Sequence, residues 1–103
     1  MDFAIISFLL GLFYYHRAKY AADKRRMLEL LFMAAWYALY AAWFIVVSIG
    51  DMEAMEFAIM VASCCPMIAR GIITKSSMVR MNSIICILFA LLNALNSYAA
   101  LRS

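Results

Sequence analysis

Residues 27–49 read MLELLFMAAWYALYAAWFIVVSI, and this stretch decides the fold. One residue in it is charged, Glu29. A helix crossing a hydrocarbon core of about 30 Å needs about 20 apolar residues, and this run supplies them. At 1.5 Å per residue a helix over this run crosses easily.

Three more apolar runs flank it. Phe3–Tyr15 carries no charge, 57–73 contains Pro66 and Arg70, and Ser83–Leu101 carries no charge. The expected architecture is therefore all-α, an integral membrane helical bundle. It has three to four transmembrane helices, at about 3–22, 27–49, 57–73 and 83–101, in a single domain over residues 1–103. Composition agrees. The chain is 69% hydrophobic with a mean hydropathy of +0.91, against roughly 45–50% apolar for soluble domains. A globule of this size buries only about two thirds of its surface, so lipid must cover the remainder. The first run is the short one; it spans only if its helix continues beyond Tyr15. The apolar N-terminal run has no basic segment before it and no small-residue cleavage pattern after it, so it reads as a retained helix rather than a signal peptide.

The connecting segments sort by charge. Arg17, Lys19, Lys24, Arg25 and Arg26 lie between the first two runs, and Arg70, Lys75 and Arg80 surround the third junction. Asp51, Glu53 and Glu56 lie between the second and third. Cations in short loops mark the cytoplasmic side. The expected topology places the N-terminus outside, the two basic junctions inside and, with four spans, the C-terminus outside. The basic residues form two blocks between apolar runs rather than one basic face, which speaks against nucleic-acid binding. Tyr14, Tyr15, His16 and Tyr20 suit an interfacial belt.

Helical phase places small residues in stripes. Ala34, Ala38, Ala41 and Ala42 share a face opposite Trp36, Tyr40, Trp43 and Val47. Ala58, Ala62, Cys65 and Ala69 line up in the third run, and Cys86, Ala90, Asn93 and Ser97 in the fourth. Ala4, Ser7 and Gly11 do so in the first. Small faces let helix backbones approach where lipid removes the hydrophobic drive. They serve either packing within one chain or association between copies. Asn93 sits mid-run and needs a partner, because an unpaired amide in hydrocarbon is costly. Helix-to-helix bonding is favoured for it over a pore wall. Pro66 lacks an N–H for the carbonyl of Ala62, so a kink is expected there. Glu29 and Arg70 lie at similar depth near the cytoplasmic ends; they either pair with each other or each extend to the surface.

Catalytic and metal-binding patterns are absent. His16 has no carboxylate or serine beside it in sequence, and nucleophile elbows, phosphate loops and paired carboxylates are missing. Cys64, Cys65 and Cys86 lie within apolar runs and read as small hydrophobes. No enzyme, cofactor or metal is expected. With no acid in mid-span, a proton-coupled transporter is disfavoured.

Several pieces resemble the three-transmembrane holins of bacteriophages. They are Arg17-Ala18-Lys19-Tyr20, the Lys24-Arg25-Arg26 cluster, Trp36 in the second helix and Ala69-Arg70-Gly71. The likeness spans residues 1 to about 75. It implies a protein of the bacterial inner membrane that forms homo-oligomers and opens lesions for phage lysis. The competing expectation is an accessory or inhibitory subunit docked on a larger membrane protein, as in superinfection exclusion.

Overall fold

The computed structural model describes residues 2–50 and 52–102, and within them the chain is helical with no strands. Asp51, an expected outer-loop acid, lies outside the described residues. The helices are α1 (Asp2–Lys19), α2 (Lys24–Ile49), α3 (Glu53–Ile73) and α4 (Ser77–Arg102). The chain is an all-α bundle, and α2, α3 and α4 are each long and apolar enough to cross a membrane. It is a multi-pass membrane protein by that measure.

Three helices begin earlier than their apolar runs, because local chemistry starts each one. The Asp23 side chain accepts from the Arg25 N–H at 3.3 Å, so α2 opens at Lys24 rather than Met27. Glu53 and Glu56 occupy the first turn of α3, where acidic side chains complement the helix dipole. Ser76 Oγ accepts from the Val79 N–H at 3.3 Å, which opens α4 at Ser77 instead of Ser83. At the other end of α1 the helix stops at Lys19, before residue 22. Tyr20 and Ala21 there bond back three residues to Arg17 and Ala18 in a tight turn. Gly50 ends α2 with φ at +82°, a conformation open to glycine, and its N–H reaches the Val46 carbonyl.

Backbones approach closely only between chain neighbours: α1 with α2, α2 with α3, and α3 with α4. The result is a bent row measuring 48 × 24 × 15 Å rather than a closed four-helix bundle. α1 lies antiparallel along α2. Phe3 stacks beside Phe44 and Tyr14 stacks on Tyr37, each pair at 5.6 Å between ring centroids. Ala4, Ser7, Gly11 and Ala18 are the buried residues of α1. A Cβ at Gly11 would stand 3.3 Å from the Ala34 carbonyl oxygen, so this glycine sets how near α1 comes. Because α1 runs beside α2 from the level of Phe44 to that of Tyr37 and beyond, the two share the same depth.

The core lies between α2, α3 and α4. Met60, Met67 and Ala90 are fully buried, and Trp36, Tyr40, Met33 and Ala94 complete it. The outer surfaces of α1 and α4 are apolar: Phe3, Ile6, Phe8, Ile85, Leu92 and Leu95 are all more than half exposed. Water would penalise such a surface, and lipid does not.

Candidate functional site

The polar groups gather at one end of the row. Eight of the nine Lys and Arg residues, Arg17, Lys19, Lys24, Arg25, Arg26, Arg70, Lys75 and Arg80, lie on the α1–α2 turn, the α3–α4 turn or the helix ends that meet there. Glu53 and Glu56 lie at the opposite end. Aromatic rings attend the basic end of α1: Lys19 lies over Tyr15 at 5.1 Å, Arg17 over Phe13 at 5.8 Å, and His16 meets Tyr20 edge-on at 5.1 Å. This belt follows the sequence expectation.

Arg70 does not extend to the surface as expected. It is 8% exposed and turns into the α3–α4 contact. Its Nη1 donates to Asn82 Oδ1 at 2.8 Å and to Ser83 Oγ at 3.4 Å, and it lies 3.9 Å from Met67 Sδ. Its Nε is buried without a partner among the described residues. Glu29 is likewise 7% exposed. Its Oε1 accepts from the Thr74 hydroxyl at 2.9 Å across the α2–α3 contact. Neither expected arrangement holds, because each charge finds a neutral partner nearer than its opposite charge. A charge removed from water needs such bonds, since desolvation otherwise exceeds the attraction gained. Arg80 closes the turn by donating from Nη2 to the Thr74 carbonyl at 2.9 Å and from Nε to the Gly71 carbonyl at 3.3 Å. Thr74 links all three helices: its N–H bonds Arg70, its hydroxyl bonds Glu29 and accepts from the Ser76 N–H, and its carbonyl takes Arg80. Sequence reading missed Thr74. A lone threonine after an Ala-Arg-Gly-Ile-Ile run carries no signal until Glu29 is placed beside it.

Midway along the helices, Asn93 Nδ2 lies 3.4 Å from Tyr40 Oη and 3.2 Å from the Phe89 carbonyl, donating to both. Tyr40 also stacks on Phe89 at 5.9 Å and packs with Trp36 at 4.5 Å. These side chains join α2 to α4, whose backbones stay apart.

The small-residue stripes divide into two kinds. In α2, Ala34 and Ala38 receive Gly11 of α1, and Ala42 is half-buried. In α4, Ala90 and Ser97 are buried and Asn93 is half-buried. The α3 stripe faces away from the other helices: Ala58, Ala62 and Cys65 are exposed and Ala69 half-buried, while Met60 and Met67 fill the inner side. α3 continues as a helix through Pro66. Pro66 has no N–H to offer the carbonyl of Ala62. On the inner face Ser63 Oγ and Cys64 Sγ both donate to the Met60 carbonyl, at 2.7 and 3.6 Å.

Comparison with family models, curated proteins and solved structures returns no match.

Proposed function

We propose that this chain is a holin-like protein of the bacterial inner membrane, which self-associates in the bilayer and permeabilises it for phage lysis. The outward face of α3 is the observation that carries this reading. Ala58, Ala62 and Cys65 are exposed there while bulky methionines are turned inward. Small residues facing lipid let a second helix approach to backbone contact, which is the geometry that favours association in membranes. The open row supports the same reading, since α3 is covered on two sides and left free on a third.

In this account all four helices cross the bilayer, because α1 accompanies α2 through its depth. The basic end faces the cytoplasm by the charge rule, and both termini lie outside.

A second reading is an accessory subunit docked through the same α3 face on a larger membrane protein. One observation favours it. Asn93, Glu29 and Arg70 each bond within the single chain, so these polar groups are engaged internally rather than free to line a lesion. Induced expression in bacteria with a potential-sensitive dye separates the two. The holin reading expects membrane potential to collapse and growth to stop. Retained potential and viability, with a stoichiometric protein partner on purification, would establish the accessory reading instead.

A further inference from the structure

We propose that the groove between the start of α2 and the end of α3 holds the headgroup of an anionic phospholipid. The groove has a volume of about 500 Å³. Lys24, Arg25 and Asp23 form its polar end, and Leu28, Ile72 and Ile73 form its apolar end. Lys24 and Leu28 are four residues apart on α2, so the change from charge to hydrocarbon occurs within one helical turn. That is the polarity profile of a lipid where its phosphate meets its acyl chains. Charge favours an anion: two cations line the groove against one carboxylate, and Asp23 is already bonded to the Arg25 N–H. Arg26, Lys19 and Lys75 add positive potential at the same end without lining it. A soluble anion would leave the Leu28, Ile72 and Ile73 surface uncovered, and a zwitterionic lipid would bring its own cation against Lys24 and Arg25. Basic recesses between membrane helices on the cytoplasmic side are a known setting for anionic headgroups.

The inference rests only on the chain being embedded in a bilayer, and lysis plays no part in its test. The full chain is purified in a nonionic detergent and mixed with equal amounts of phosphatidylglycerol and phosphatidylcholine. Bound lipid is then read by native mass spectrometry. Wild type retains phosphatidylglycerol over phosphatidylcholine by about tenfold, as two cations at a headgroup imply. The double variant Lys24→Gln/Arg25→Gln loses most of that preference. Lys19→Gln/Lys75→Gln, which removes equal charge outside the groove, keeps it within about twofold. Ile72→Trp fills the apolar end without altering charge and lowers lipid retention while helicity by circular dichroism is unchanged. Equal losses in both double variants, no preference in wild type, or displacement of the lipid by equimolar inorganic phosphate would each overturn the assignment.

Discussion

Arg70 reaches from α3 into α4 and donates to the Asn82 side-chain oxygen at 2.8 Å, away from the carboxylate of Glu29. A buried guanidinium thus ties two antiparallel helices at the turn that joins them. Replacing it with Leu leaves the buried Ser83 hydroxyl without this donor. Arg70→Leu is expected to destabilise the fold by about 1–3 kcal/mol, read as a lower melting temperature in detergent. Arg70→Lys keeps the charge but not the branched donor set, and falls between. A variant Arg70→Leu as stable as wild type would mean that this bond contributes nothing net, as happens for some buried charges.

Thr74 and Glu29 form a pair whose members are not equivalent. Thr74→Val removes the donor and leaves a buried carboxylate unpaired, a loss of about 1–3 kcal/mol. Glu29→Gln retains an acceptor for the Thr74 hydroxyl and is expected to change stability by less than about 0.5 kcal/mol. Their coupling is measured by a double-mutant cycle with Glu29→Leu and Thr74→Val. An interaction above about 0.5 kcal/mol is expected for groups in direct contact.

Gly11 sets the α1–α2 spacing. In Gly11→Ala the new Cβ stands 3.3 Å from the Ala34 carbonyl oxygen, a tight but tolerable approach. The gain in helix propensity, about 1 kcal/mol, offsets the crowding, so stability is expected to be nearly unchanged. Gly11→Leu has no such room and costs about 1–3 kcal/mol through overpacking. Thermal unfolding of both variants checks the contrast, which vanishes if α1 does not lie on α2.

The proposed topology, with the N-terminus outside, is open to a labelling test. In intact bacteria, a chain lacking Cys64, Cys65 and Cys86 and carrying Ala22→Cys or Lys75→Cys should resist a membrane-impermeant maleimide. The same chain with Met52→Cys should label. Asp2→Cys, at the far end of α1, should label as well; resistance there with Met52→Cys labelled would place α1 at the cytoplasmic surface and leave three spans.

Much of this fold is legible in the sequence because lipid imposes simple demands. A run such as 27–49 is long and apolar enough to cross a membrane, and it is helical throughout. Helix starts were harder, since Asp23 and Ser76 open helices from within polar segments that hydropathy alone treats as loops. The phase of the small residues was legible, but not which stripe is used internally. That depends on neighbours: Gly11 occupies the Ala34–Ala38 face, while no helix of the chain reaches Ala58 and Ala62. Asn93 announced its need for a partner, and Tyr40 supplies it. The Arg70–Asn82 and Glu29–Thr74 bonds are not legible, because the sequence offers pairing of the two charges or extension to the surface and gives no sign of the neutral groups beside them.

If copies of this chain meet through α3, as proposed, Cys65 lies on the face concerned. In a two-fold pair sharing one membrane orientation, equivalent residues oppose each other across the axis. Wild-type Cys65 is therefore tested in native membranes as the single cysteine, with Cys64→Ala and Cys86→Ala, under mild oxidation. A disulfide-linked dimer is expected from Cys65, and little or none when the single cysteine is moved to Leu92 on the lipid face of α4. No dimer through Cys65, or equal dimer from both positions, would contradict the account.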